Sequence, residues 1–186
     1  NPTDAPIDAA NLVIDDGDAR DTVGAYSVGN TLVPAGGYAV VLDPDYVHLA
    51  DKYDIPAEAV LLTVGTATLG SGLSTSDPIS LERDGVVVSS YAYPFNPGNG
   101  ISAERIDFEA DDALGNWTAS PCGSSPGRAN CISSGGGQAG QPQLVITEVM
   151  LNPADGLTGE YVEVMNLGED AVDLAGLVLS DGDSTD

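Results

Sequence analysis

The sequence predicts an all-β protein, a sandwich built from short strands. Runs rich in Val, Ile, Leu and Tyr alternate with clusters of Gly, Pro, Asn and Asp, which are typical of turns. The runs mix strict alternation with short apolar stretches, as strands that face a sandwich core do. Turn signals recur about every 8–12 residues, which is the spacing expected of a sandwich.

The predicted strands follow one another along most of the chain. Residues 79–83 and 86–93 are joined by Asp84-Gly85, a strong signal for a tight hairpin. One exception is DPDYVHLADKYD at 43–54, where the apolar spacing predicts a short helix with Asp43 as its N-cap. The strands are predicted at 11–14, 22–28, 38–42, 79–83, 86–93, 101–108, 144–150, 160–166 and 172–180.

The composition divides the chain into two blocks. Residues 132–143 include SSGGGQAGQPQ, in which Ala139 is the one apolar residue, so they are predicted to be a flexible linker. The larger block is then 1–131, and the shorter block is 144–186.

The end of the sequence repeats its beginning. The stretch 166–186 aligns with 1–21 without a gap, and nine of the aligned positions are identical. Ile14 and Leu179 are a similar apolar pair in this alignment. Repetition at a fixed period is the signature of tandem arrays. We therefore expect the chain to be one period of a longer array, cut out of phase with its domains.

Three motifs follow one another after the linker: Asn152-Pro153, a predicted strand from Glu160 to Asn166, and Asp173-Leu174-Ala175-Gly176. In this order they resemble the opening of the lamin tail domain family. LVPAGGYAVV at 32–41, ISLERDGVVVSSYAY and GNWTASPCGSSPGRAN resemble its later parts. The resemblance spans nearly the whole chain except the linker and residues 43–77. Asp8-Ala9-Ala10-Asn11 departs from it, because the family's Leu and Gly are missing there.

The resemblance implies an immunoglobulin-like β-sandwich whose strands come in circularly permuted or strand-exchanged order. The block 1–131 would lack the first two strands of the fold, and 144–166 would supply them. Because an unpaired sheet edge leaves hydrogen-bonding groups open, these strands should complete a sandwich within the chain or in a neighbouring chain. The apolar residues of this strand-exchange segment are Leu144, Val145, Ile146, Val149, Tyr161, Val162 and Val164.

The charge of the chain is strongly negative. Twenty-nine acids against five bases give a formal net charge of −24, which disfavours nucleic acid and anionic membranes as partners. The sequence contains no apolar run long enough to span a bilayer, so no membrane insertion is expected. Adaptation to salt, bound divalent cations and simple solubility each remain open as the reason for the acidity.

The two cysteines and the Asp-rich turns bear on the location of the protein and on a possible cofactor. Cys122 and Cys131 flank a short Gly- and Pro-containing loop, so a disulfide is predicted, and with it an extracellular or cell-surface location. The Asp-rich turns DDGDARD and DGDSTD could bind Ca²⁺ through alternating carboxylates, although solvated Asp/Gly turns between strands are the favoured explanation. The candidate ligands are Asp15, Asp16, Asp18, Asp21, Asp181, Asp183 and Asp186.

No residue pattern predicts a catalytic site. His48 is the one histidine, and GSGLS at 70–74 has no partner base that the sequence identifies. We therefore predict a non-enzymatic structural repeat that acts as a stalk, adhesin or filament subunit and whose partners are copies of itself. The alternatives are a Ca²⁺-stabilised module that binds a carbohydrate or surface polymer, and an accessory domain of a secreted hydrolase.

Overall fold

The fold is taken from a computed structural model of the chain. The structure describes residues 12–15, 20–27, 29–44, 53–75, 77–83, 85–92, 94–108, 110–111, 113–132, 144–154, 159–168, 171–174 and 177–180. Within these residues it forms thirteen strands and two short 3-10 turns, Leu69–Ser71 and Leu114–Asn116. The strands are β1 Leu12–Asp15, β2 Arg20–Ala25, β3 Leu32–Val33, β4 Tyr38–Leu42, β5 Val60–Val64, β6 Ile79–Arg83, β7 Val86–Tyr91, β8 Ala103–Arg105, β9 Trp117–Ala119, β10 Leu144–Met150, β11 Tyr161–Asn166, β12 Val172–Asp173 and β13 Leu177–Ser180. The prediction of an all-β chain is confirmed.

The strands of the described residues form one large sheet and one small pair. In the large sheet β7 pairs with β6, and the order then runs through β13, β2, β5, β4, β11, β10, β8 and β9. β1 also pairs with β6 and β2, and β12 pairs with β3 in the small sheet. Most pairs are antiparallel, whereas β4 and β5 are parallel.

The two ends of the large sheet cover a common core. Val23 and Leu81, from β2 and β6, lie in the same buried cluster as Val149 and Val162, from β10 and β11. The strand order separates β7 from β10, yet the Ile146 backbone N–H donates to the hydroxyl of a β7 serine at 3.1 Å. The sheet therefore folds back on itself, an arrangement compatible with a β-sandwich.

The hairpin predicted at Asp84-Gly85 is confirmed. β6 and β7 pair antiparallel, with Ile79 opposite Tyr91, and Gly85 has a φ of 78°. Glycine adopts that conformation without the steric cost that a Cβ brings. Residues 45–52 of the predicted helix lie outside the described residues, so the helix stays a prediction. Asp43 is described, and one of its carboxylate oxygens accepts a hydrogen bond from the Leu69 backbone N–H.

The first two strands after the linker, β10 and β11, lie inside the large sheet. β11 pairs with β4, and β10 pairs with β8, so both strands have partners from the block before the linker. Every residue of β10 is buried, whereas β5 and β6 alternate between buried and partly exposed positions. All seven apolar residues of the predicted strand-exchange segment are buried.

Trp117 packs in the core beside a second aromatic ring. It is 4% exposed, and its ring centre lies 4.8 Å from that of Tyr91 with the planes at 76°. This edge-to-face arrangement is favourable for aromatic pairs. The Arg105 guanidinium lies 5.7 Å from the Trp117 ring centre, within reach of a cation–π interaction. In the part of the chain that the structure describes, no helix has the length and apolar character needed to cross a bilayer.

Candidate functional site: a buried carboxylate cluster

Three glutamates lie side by side across three neighbouring strands. Glu104 is on β8, Glu148 on β10 and Glu163 on β11, and Glu148 is opposite both of the others in the strand register. All three are fully buried. We call these three residues the carboxylate cluster. Burial of an acidic group costs free energy unless the group is hydrogen-bonded, so the groups that donate hydrogen bonds to these glutamates determine the role of the cluster.

Strand alternation places the cluster on the outer face of the sheet. Val149 and Val162 point to the main core, and each is next in sequence to a cluster glutamate. Because successive side chains point to opposite faces, Glu148 and Glu163 point away from that core. The neighbouring outer-face residues Met150 and Tyr161 belong to a separate apolar cluster. The outer face is therefore covered by other parts of the chain.

The segment that covers the glutamates is residues 120–131, which we call the closing segment. The Ser125 backbone N–H donates to both oxygens of Glu148, at 2.8 and 3.0 Å. The Gly127 N–H donates to Glu163, and the Cys131 N–H donates to Glu104 at 3.2 Å. Each glutamate thus accepts a hydrogen bond from the backbone of the closing segment.

Side chains of the closing segment add further bonds. The Ser120 hydroxyl donates to Glu104 Oε1 at 2.7 Å, and the Ser125 hydroxyl lies 2.7 Å from Glu148 Oε2 and 2.9 Å from Glu104 Oε1. The Asn130 amide donates to the backbone carbonyls of Arg105, at 2.8 Å, and Thr147, at 2.9 Å. The closing segment is therefore bonded to strands from both sides of the linker.

The predicted disulfide is present and joins the two ends of the closing segment. Cys122 and Cys131 are bonded, with their Cα atoms 6.3 Å apart. Among the described residues, the one group with ligand atoms close enough for a metal is Glu104 with these two cysteines. Because the sulfurs are bonded to each other, neither is a thiolate ligand.

Burial raises the pKa of two glutamates of the cluster, Glu148 and Glu163. The pKa of Glu163 is well above its ordinary value, because burial disfavours the charged form and the neighbouring Glu148 repels a second charge. Burial also raises the pKa of Glu148, against the opposing effect of its hydroxyl and amide donors. The Tyr161 hydroxyl donates to Glu148, and its own pKa is raised by burial and by that carboxylate. Glu148 and Glu163 therefore bind protons at higher pH than free glutamates do.

A second set of carboxylates holds the loop at residues 66–73. Asp21 accepts hydrogen bonds from the Thr66 hydroxyl and from the Gly70 N–H, the latter at 2.8 Å. Asp43 accepts the Leu69 N–H at 2.8 Å, and Glu160 accepts the loop's Leu73 N–H at 2.9 Å. Burial raises the pKa of Glu160 to about 8, with smaller contributions from neighbouring aspartates.

The calcium ligands predicted from the sequence are only partly within the described residues. Asp21 is buried, and both of its oxygens already accept hydrogen bonds from the protein. Asp15 is the last residue of β1. The remaining candidates, Asp16, Asp18, Asp181, Asp183 and Asp186, lie outside the described residues. The calcium site stays a prediction.

Two of the motif segments in the block before the linker contact strands after it. At the end of β11, the Asn166 carbonyl accepts the Gly36 N–H at 2.9 Å, and the Asn166 N–H donates to the Gly37 carbonyl at 3.0 Å. The Ser125-Pro126-Gly127 stretch meets Glu148 and Glu163, as described above. Motifs that lie on opposite sides of the linker in sequence therefore meet in space.

Comparisons with known proteins identify no relative: no family model, curated protein or solved structure matches the chain.

Sequence reasoning did not identify the carboxylate cluster. On β10 and β11 its signal is one Glu among mostly apolar residues, in LVITEVM and YVEVMN. In a half-exposed strand such a Glu would face water, so the pattern by itself does not indicate burial. Only the position of β10 and β11 inside the large sheet, beneath the closing segment, shows that these side chains are enclosed.

Proposed function

We propose that this chain is a non-enzymatic structural repeat of a secreted or cell-surface protein, a lamin-tail-like sandwich that joins to copies of itself by exchange of strands. One observation favours this role above the others. The first two strands after the linker, β10 and β11, are buried in the large sheet between β4 and β8, which come from before it, and their glutamates hold the closing segment. Neither block has a complete core without the other.

The chemistry of the cluster supports a structural role. Each of its carboxyl groups accepts a backbone N–H of the closing segment, so the glutamates fix one piece of chain on another. An intramolecular hydrogen bond is worth roughly 0.5–1.5 kcal/mol. In an array of such repeats, every contact of this kind between blocks resists separation of neighbouring repeats.

The partner proposed here is another copy of the repeat. Strands β10 and β11 use the same backbone hydrogen bonds whether their acceptor strands β4 and β8 belong to the same chain or to a neighbour. Self-closure therefore gives beads on a string, and donation gives a continuous fibre. The disulfide and the acidic surface are compatible with an oxidising, extracellular setting.

A complementation experiment tests strand donation directly. One variant, Val162→Asp, places a charge in the buried part of β11, and the other, Leu62→Asp, places one in the buried part of β5. Each variant alone should lose the near-ultraviolet circular dichroism of Trp117. Mixing them should restore that signal and give a dimer by light scattering, because intact β10 and β11 from one chain complete the intact block of the other.

A matched mixture provides the control. Val162→Asp and Val164→Asp both alter β11, so neither can supply an intact strand and no signal should return. If the first mixture also stays unfolded at every concentration, strand donation is wrong and the repeats are closed individually. A repeat of both mixtures with Ca²⁺ and with chelator measures whether the cation contributes.

A further inference from the structure

Two segments of the chain occupy one strand position in the sheet. β1 and β13 each pair with both β2 and β6. Ile14 and Leu179 are both opposite Leu81. The two strands are LVID and LVLS, which align with each other in the sequence repeat of 1–21 and 166–186.

The pairing with β2 also follows the sequence repeat. Val13 and Val178 are both opposite Thr22 of β2, and they too are aligned with each other in the repeat. A strand in this position therefore has β2 on one side and β6 on the other, whichever end of the chain provides it. A slip of one residue would change every pairing in the sheet, so the shared register shows that both segments fit this position in the same way.

The position has room for one strand at a time. A strand has two hydrogen-bonding edges, and neighbouring strands lie about 4.7–4.9 Å apart. The remaining edge of β2 pairs with β5, and β6 also pairs with β7. The backbone groups of β2 and β6 that face each other across the position are fully used by a single strand. Leu179 is 1% exposed there and belongs to the main core.

We propose that the position between β2 and β6 is a strand-binding site whose ligand is a Leu-Val-(Ile/Leu) segment, and that the segments 12–15 and 177–180 are alternative ligands for it. The segment that is left out keeps unpaired backbone groups and the sequence that fits the site. It is therefore a ligand for the same site in a second copy of the chain. This deepens the proposed function, on which it rests, by naming a second exchangeable strand besides β10 and β11.

Engineered cysteines test whether both segments enter the site. Asp15 and Ser180 are both opposite Ser80. The variant Ser80→Cys with Asp15→Cys and the variant Ser80→Cys with Ser180→Cys should each form an internal disulfide under mild oxidation. The two yields should lie within about tenfold of each other, because exchange of Leu for Ile at one buried position shifts an equilibrium by no more than about that factor. Val88→Cys with Ser180→Cys is the control for random oxidation, since Val88 is 40% exposed on β7.

A mixture of two chains tests the partner. The acceptor combines Ile14→Asp with Leu179→Asp, so that neither of its own segments fits the site, and it carries Ser80→Cys. The donor carries Ser180→Cys alone. Exchange between copies predicts a disulfide that links the donor chain to the acceptor chain. The control mixture pairs the same donor with an acceptor that carries Ser80→Cys but lacks the two Asp changes. A higher yield of the linked pair in the first mixture than in the control would support exchange.

The outcomes separate this inference from the proposed function. An internal disulfide with only one of the two segments would overturn the shared site. Internal disulfides with both segments, but no disulfide between the donor and acceptor chains, would overturn the proposal that a second copy of the chain is the partner. Both results can occur while the complementation of Val162→Asp by Leu62→Asp succeeds, so failure here leaves donation of β10 and β11 standing.

Discussion

Replacement of Gly127 by alanine should be among the most damaging small changes in this chain. Gly127 lies in the closing segment with a φ of 77°, and its backbone N–H donates to Glu163. A Cβ added there would lie 2.8 Å from the Ala59 Cβ and 3.2 Å from the Pro56 Cδ. Since both neighbours are short, rigid side chains, relief requires a backbone shift that also moves the N–H away from the buried carboxylate.

The expected loss in the free energy of unfolding is the sum of three effects. The left-handed conformation costs a residue with a Cβ about 1–2 kcal/mol. Crowding in a packed region adds about 1–3 kcal/mol. Weakening a hydrogen bond to a buried carboxylate adds about 1 kcal/mol or more. We expect Gly127→Ala to lower the free energy of unfolding by about 3–5 kcal/mol. That corresponds to a fall in Tm of about 6–20 °C for a chain of this size.

Two matched variants separate the three effects in the same thermal unfolding assay. Gly85 has a φ of 78° with open space around its Cβ position, so Gly85→Ala measures the conformational cost alone. Gly100 has a φ of 72° and a Cβ position 2.7 Å from the Ala154 Cβ, so Gly100→Ala adds crowding without the carboxylate. We expect losses in the order Gly85, Gly100, Gly127. A loss for Gly127→Ala no greater than that for Gly85→Ala would refute the packing of the closing segment on the cluster.

Three further predictions concern the buried carboxyl group of Glu160, the disulfide and the core residue Trp117. The pKa of Glu160 rises from 4.5 to about 8 on folding, so the free energy of unfolding should fall as pH rises through that window. In urea titrations at several pH values, the free energy of unfolding of Glu160→Gln should depend less on pH than that of the unaltered chain. The exposed Glu58→Gln variant is the control and should behave like the unaltered chain. The same pH dependence for both variants would contradict the assignment. Reduction of Cys122–Cys131 should cost about 2–3 kcal/mol, and a reductant without effect on the urea midpoint would show that the disulfide adds nothing. Trp117→Ala should cost about 3–5 kcal/mol in the same assay, and a loss below about 1 kcal/mol would contradict its core position.

The cluster and the loop at 66–73 give part of the acidity a structural reason. Six carboxylates, three in each group, accept backbone N–H groups of segments that cover the sheet. A carboxylate offers acceptor atoms without donors, which suits a position beneath several N–H groups. The many acids therefore serve partly to bind the chain's own backbone, apart from any role in binding cations.

Local patterns were sufficient to predict the all-β class and several elements of the fold, although they missed β3, β5 and β9. Asp84-Gly85 predicted a hairpin because its preferred dihedrals do not depend on distant residues, and the cysteine spacing predicted the disulfide across a short loop. The gapless alignment of 1–21 with 166–186 indicated that the two stretches are equivalent. Each of these signals lies within one segment or in a comparison of two segments, so the sequence alone was enough.

Tertiary structure decided where those elements meet. Whether Glu148 and Glu163 face water or a buried layer depends on which strands flank β10 and β11 and on what covers them, and neither is encoded within either strand. The sequence made Ile14 and Leu179 equivalent, but only the pairing of both with Leu81 showed that they require the same position. Contacts between distant segments depend on the whole chain closing around one core, so local sequence signals do not determine them.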